Sequence, residues 1–248
     1  MTWGNFGVIH LSSLLLGAAI IIGLYFALRR ASVRVQLTVL GILSFSGIAA
    51  IIFNLLAWGA PLEYLPLHLC SLTAMVLPFA VMLRSRVLSN LLLLWSLGAL
   101  MALVVNSAQA DYEIFSLTFV FYFFPHVFEF GIPILLFALG LTKRDPRCIL
   151  STLGITFAAY TLIHFVNVWL NSYFLENNVL DRSGNVVQVN YMFSITPENP
   201  LLALFRNLIP YDFWYMMPVL PIAGIYLMLV YLPTIIRRRT PPKTRSDQ

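Results

Sequence analysis

Cys70 stands in the stretch Glu63-Tyr-Leu-Pro-Leu-His-Leu-Cys70-Ser-Leu-Thr73, where a long apolar run begins. Pro66 suits the first turn of a helix, where no amide donor is required, and this places His68 and Cys70 within the first turn or two. The unpaired N–H groups and the positive end of the helix dipole favour a thiolate there. Cys70 is therefore the best candidate nucleophile; the plain alternative is a small apolar packing residue. His68 lies two residues away, about 200° round a helix, so its ring does not face Cys70 if both are helical. A base from another segment is expected.

That segment is Phe119-Val-Phe-Tyr-Phe-Phe-Pro-His126-Val-Phe-Glu129-Phe-Gly-Ile-Pro133. A carboxylate inside so apolar a run costs several kcal/mol and points by default to function. Glu129 lies three residues after His126, on the same helix face, and is expected to accept a hydrogen bond from the ring. Tyr122 joins that stripe, and Pro125 frees the carbonyl of Phe121. A second stripe, Tyr160, His164, Asn167 and Asn171, recurs at spacings of four, three and four along one face. The bland alternative for both stripes is helix-to-helix tethering. His10, at the outer end of another run, reads as an interfacial residue without chemistry, and Cys148 beside a basic loop reads as inert.

These residues sit in a chain that is 60% hydrophobic and 10% charged, a membrane composition. Segments near 7–28, 36–58, 65–83, 87–106, 115–141, 147–171 and 212–236 each approach the ~20 apolar residues a span requires. All must be helices, since backbone polar groups find no water in lipid. The expectation is an all-α membrane protein, a seven-transmembrane helix bundle forming one multi-pass domain over 1–248. Met1–Phe6 lacks the positive region of a secretory signal, so the first span is expected to be retained.

Arg29, Arg30, Arg34, Arg84, Arg86, Lys143, Arg144 and Arg147 fall in alternate loops, and Arg237, Arg238, Arg239, Lys243 and Arg245 follow the last span. The other loops hold only Arg182 and Arg206. The positive-inside rule then sets the N-terminus outside and the basic tail 237–248 in the cytoplasm. The net charge of +5 is thereby topological and gives no reason to invoke nucleic acid. Trp58 and Tyr64 read as interfacial anchors, and Asn106, Ser107, Asp111 and Glu113 as an outer loop. Counting ~1.5 Å per residue from the outer end sets Cys70, His164 and His126 roughly 7, 10 and 12–16 Å deep, so the polar groups converge on a cavity in the outer half. Residues 172–211 form a long outer loop with a turn near 180–190 and a short interfacial helix over Leu201–Ile209, opened by Thr196-Pro-Glu-Asn-Pro200.

Taken together, Leu65-Pro-Leu-His-Leu-Cys70-Ser, the Pro125-His126 pair and Asn190-Tyr-Met…Asn199-Pro…Pro210-Tyr resemble the bacterial YwaF-type integral membrane proteins, which are similar to the transmembrane protein 164 family. The resemblance implies a multi-pass bundle across nearly the whole chain and acyl transfer between membrane phospholipids, with a cysteine carrying the acyl group and a histidine assisting. By position the cysteine is Cys70, and the histidine is His126 in preference to His164.

The resulting expectation is a phospholipid acyltransferase or lipase-like enzyme in the cell membrane. Cys70, His126 and Glu129 would be catalytic, and His68, Tyr160, His164, Asn167, Asn190 and Tyr191 would contact a phospholipid or lysophospholipid, without cofactor or metal. The amides of Leu67–Leu69, or Asn167, are the candidate oxyanion donors. Two other classes stay open. One is a zinc-dependent hydrolase with His68, His126, Glu129 and His164 as ligands; the other is a lipid-binding protein or transporter without catalysis. Retinal chemistry is disfavoured, since Lys143 and Lys243 are the only lysines and lie outside the spans.

Overall fold

Long apolar runs fold as helices wherever the chain is described. The computed structural model describes residues 2–4, 6–58, 62, 64–105, 112–181 and 183–239, with the side chains of Trp58 and Arg237–Arg239 left aside. Glu63, Asn106, Ser107, Asp111, Arg182 and the tail from Thr240, all read above from sequence, lie outside the described residues. The helices are α1 (Val8–Leu28), α2 (Val33–Ser44), α3 (Ser46–Trp58), α4 (Leu69–Leu83), α5 (Arg86–Val104), α6 (Leu117–Ala138), α7 (Cys148–Glu176), α8 (Pro200–Leu208) and α9 (Val219–Arg239). Among the described residues there is no strand, only isolated bridges at Thr2–Glu113 and Leu180–Val186.

Among the described residues six segments are long and apolar enough to cross a membrane: α1, Val33–Ala57, α5, α6, α7 and Trp214–Ile236. The expected seventh, 65–83, falls short. α4 has 15 residues, about 22 Å at 1.5 Å each, against a hydrocarbon layer of ~30 Å. Its start is displaced because Leu65–His68 does not wind. The Leu67 amide turns back to the Leu65 carbonyl at 2.7 Å, and the hydroxyl of Tyr191 donates to the Leu62 carbonyl (2.7 Å) while accepting from the Leu65 amide (3.3 Å). Pro66 thus precedes the helix instead of opening it, and His68 becomes the N-cap.

α5 and α6 form the middle of the bundle. In each, 61% of the most apolar window is buried, against 17–22% in the other five-turn or longer segments, which turn apolar side chains outward as lipid-facing helices do. Leu77, Leu92, Ile132, Leu136 and Leu227 are fully buried where α4, α5, α6 and α9 meet. The expected second span is one apolar segment broken at Phe45. Ser44 Oγ donates to the Gly41 carbonyl at 2.6 Å, and a serine bonding back within its own helix competes with the amide ladder and bends it. Immediately beyond, at Gly47, an added Cβ would lie 2.5 Å from Ala74 Cβ and 2.7 Å from Glu129 Oε1. Only glycine lets α3 close on α4 and on the Glu129 carboxyl.

At the end of the bundle where Arg86 and Lys143 lie, the helices are tied by Asn90, fully buried. Its Nδ2 donates to the carbonyls of Arg86 (2.7 Å) and Lys143 (3.2 Å), and its Oδ1 accepts from the Asp145 amide (3.2 Å) and from the Tyr231 hydroxyl. Arg86 pairs with Asp145 at 3.1 Å beside it. At the opposite end His10 is fully buried. Its Nδ1 accepts from the Phe6 amide (3.2 Å), so Nε2 is the protonated nitrogen and donates to the Leu103 carbonyl (2.8 Å). His10 is a tether between the N-terminal segment and α5, in keeping with its bland reading.

Candidate functional site

Cys70 is the second residue of α4, half-buried, and is a free thiol. The His68 side chain does not cap the helix, and among the described residues the amides of Leu69, Cys70 and Ser71 have no backbone acceptor. These unpaired donors at a helix N-terminus suit an anion. Of the oxyanion donors expected from sequence, the Leu69 amide is among them, whereas the Leu67 amide is committed to Leu65 and Asn167 to Tyr191 and Ser194.

α6 supplies the other reactive groups. His126 and Glu129 share with Cys70 a cavity of about 90 Å³ also lined by Asn54, Tyr112 and Tyr122. The His126 ring is not oriented by Glu129. Its Nδ1–H donates to the Tyr122 carbonyl at 2.6 Å; a carbonyl only accepts, so Nδ1 carries the proton and Nε2 the lone pair in the neutral ring. The Tyr122 ring leans on His126 at 4.4 Å between centroids, and its hydroxyl donates to the Ala102 carbonyl at 2.8 Å. Glu129 is buried, and its Oε2 has no hydrogen-bond partner. An unpaired carboxyl oxygen in such a place is costly.

The 90 Å³ cavity continues into a larger one of about 420 Å³, bounded by Cys70, His126, His68, Tyr64, Phe193 and Glu198 among others. Glu198 was not singled out from sequence, where it reads as part of a helix-capping run. Burial holds its carboxyl above the usual carboxylate range, opposed by a hydrogen bond from Asn190 Nδ2 (2.8 Å). Asn54, Tyr112 and Glu198 come to the cavity from three separate segments, and no periodicity links them.

The second polar stripe faces the loop, not this cavity. Asn167 Nδ2 donates to the Tyr191 carbonyl (2.8 Å) and Ser194 Oγ (2.9 Å), and its Oδ1 accepts from the Tyr191 amide (3.0 Å). Asn171 grips Val189 in the same two-way manner, at 2.9 and 2.8 Å. His164 Nδ1 pairs with Ser194 Oγ at 3.1 Å, and the Tyr160 hydroxyl donates to the Phe213 carbonyl at 2.8 Å. Asn190 is occupied by Thr196, Ile195 and Glu198. Met192 and Phe193, held between these clamps, both have φ near +54° (53° and 55°), a left-handed conformation uncommon for such side chains. The Met192 amide donates to His68 Nδ1 at 3.4 Å, which brings the loop down onto the N-cap of α4.

Thus the structure gathers Cys70, His68, His126 and Glu129 around connected cavities and sets Tyr160, His164, Asn167, Asn190 and Tyr191 in the seam between α7 and the loop. Among the described residues no three His, Cys, Asp or Glu side chains come together as a metal site; His164 in particular is drawn away to Ser194. Residues 5–231 match the profile of the TMEM164 family, and the chain belongs to that family as a multi-pass membrane protein. No curated protein and no solved structure matches it.

Proposed function

We propose that this member of the TMEM164 family is a phospholipid acyltransferase or acyl hydrolase of the cell membrane that works through a Cys70 acyl-enzyme. One observation carries the reading: a cysteine at an uncapped helix N-terminus shares a polar cavity within the membrane bundle with a histidine in a fixed tautomer and a carboxyl oxygen lacking a partner. In this reading α4 counts as the seventh, shortened span, with the N-terminus outside and the basic tail in the cytoplasm, as the arginine distribution requires.

The Cys70 thiol gives its proton to Nε2 of His126, and the thiolate attacks the ester carbonyl carbon of a phospholipid. The tetrahedral oxyanion lies against the first-turn amides of α4. As the C–O bond to glycerol breaks, the leaving oxygen takes the proton from the His126 imidazolium, so a lysophospholipid departs and a thioester remains. The hydroxyl of a second lysophospholipid, or water, then attacks the thioester. Its proton passes to Nε2 and from there to the departing Cys70 sulfur. Where the acceptor is water, its second O–H donates to the Glu129 carboxyl in the same cavity. Tyr160, His164, Asn167, Asn190 and Tyr191 serve substrate binding indirectly, by seating the loop that walls the cavity.

The test is intact-mass measurement of the purified chain after incubation with phospholipid vesicles. An acyl-sized gain that neutral hydroxylamine removes, and that peptide mapping assigns to Cys70, is the expected result. A protein that binds phospholipid yet shows neither adduct nor turnover would be a lipid carrier. For the base, His126→Asn is expected to slow acylation about 10²–10⁴-fold with the amount of folded protein unchanged. An unaltered single-turnover rate would remove His126 from the mechanism.

A further inference from the structure

Cys70 has cavities of opposite character on its two sides. One is the 420 Å³ cavity with its tyrosines and Glu198. The other, about 260 Å³, is closed by Leu69, Gly98, Met101, Met192, Leu202 and Val219, drawn from α4, α5, the loop, α8 and the start of α9. His68, Cys70, Ala102 and Phe193 line both, so the sulfur stands at the partition.

We propose that this second chamber holds the acyl chain carried by Cys70, and that Gly98 sets how long a chain it takes. The proposal rests on the acyl-enzyme reading above and adds to it where the chain goes. A thioester fixes the carbonyl end at the sulfur, and the chain must leave in one direction. Toward Glu198 and the tyrosines it would cover polar groups without giving them hydrogen bonds; toward the methionines and leucines it meets a lining that is apolar apart from His68 and Asn199.

An apolar cavity of about 150 Å³ accommodates benzene, so 260 Å³ is room for about ten carbons. A longer chain must continue out of the chamber into surrounding hydrocarbon. Met101, Met192 and Met216 are unbranched and adaptable, which suits a lining that measures length and tolerates shape. Gly98 fixes the depth. A Cβ there would stand 3.0 Å from Leu69 Cδ2, beside Cys70, so a larger side chain must either displace Leu69 or occupy the chamber. The separate apolar cavity between α1, α5 and α6, about 300 Å³ and lined by Ala18 and Phe123 among others, does not reach Cys70 and serves as the control.

The experiment offers the full chain an equimolar set of phosphatidylcholines with saturated chains of different length and reads the chain on Cys70 by intact mass. Gly98→Leu and Val219→Phe narrow the chamber from opposite walls. Each is expected to shift the adducts toward shorter chains, with discrimination of about tenfold for each methylene excluded. Met101→Ala is expected to shift them the other way, and Ala18→Leu to leave the wild-type ratio. Wild-type ratios in all the folded chamber variants, or a shift only in Ala18→Leu, would overturn the proposal while leaving the acyl-enzyme standing. Absence of any adduct on the wild-type chain would instead overturn the acyl-enzyme, and the chamber's role with it.

Discussion

Replacement of Cys70 by alanine is expected to abolish acyl uptake and to lower phospholipid turnover by about 10⁴-fold or more, toward the uncatalysed rate. The argument is local. Cys70 is half-buried in a cavity wall and, among the described residues, makes no side-chain hydrogen bond that holds two elements together, so its removal costs little packing, and the chain should elute and unfold as the wild type does. The amides at the start of α4 stay in place and can still bind a carbonyl oxygen, but nothing remains to form the covalent bond. Cys70→Ser sharpens the comparison. Any adduct it accumulates is an oxygen ester, which resists the neutral hydroxylamine that cleaves a thioester. Wild-type turnover in Cys70→Ala would end the acyl-enzyme reading, whatever lipid had been used.

Asn167→Ala is expected to have the largest effect on stability. The side chain is fully buried and acts as a substitute peptide group, donating to and accepting from the same residue, Tyr191, while also holding Ser194. Alanine takes the Asn167 partner from a buried amide and a buried carbonyl of Tyr191, while the Ser194 hydroxyl keeps His164. At about 1–3 kcal/mol for each group left unpaired, the loss comes to roughly 4 kcal/mol. The Tyr191 ring and hydroxyl hold Leu62 and Leu65 ahead of α4, so the damage should spread from the loop to the Cys70 end of the cavity. Chemical unfolding in detergent measures the first effect, and limited proteolysis between Asn178 and Ile209 the second. Asn171→Ala, which leaves the two Val189 groups unpaired at a less buried position, is expected to cost less. Equal costs for the two would mean that the clamp on Tyr191 has no special weight.

How far the sequence disclosed this arrangement depends on the kind of signal each residue gives. Apolar runs report spans faithfully, and among the described residues six of the seven expected segments reappear as helical stretches long enough to span. α4 is the exception because its start is decided by Tyr191, 126 residues from Leu65 in sequence, and hydropathy contains no trace of that contact. His126 and Glu129 stood out since charge and imidazole are rare in such a run, and their shared cavity with Cys70 followed. The pairing of the His126 ring with Tyr122 did not, because a carbonyl four residues back is always present and competes without a sequence mark. The stripe Tyr160-His164-Asn167-Asn171 does share one face, but that face meets the loop and not the cavity. Its partners are backbone groups of the loop, and the identity of a backbone partner is invisible in residue types. Glu198 went unseen for the complementary reason: a glutamate among Pro and Asn in a polar stretch has no oddity to notice.

The left-handed pair Met192–Phe193 has a bearing on how the loop tolerates change. Hydrophobicity ranks valine and isoleucine as mild replacements for these two and asparagine or glycine as severe ones. Backbone geometry inverts the order, because a β-branched side chain at φ near +54° is forced against its own main chain, whereas glycine takes that conformation freely. What must be inherited at 192 and 193 is a pair of dihedral angles. The side chains that now occupy them are permitted by clamps fixed elsewhere, at Asn167 and Asn190, so divergence at these two positions is limited by the residues that hold the backbone around them.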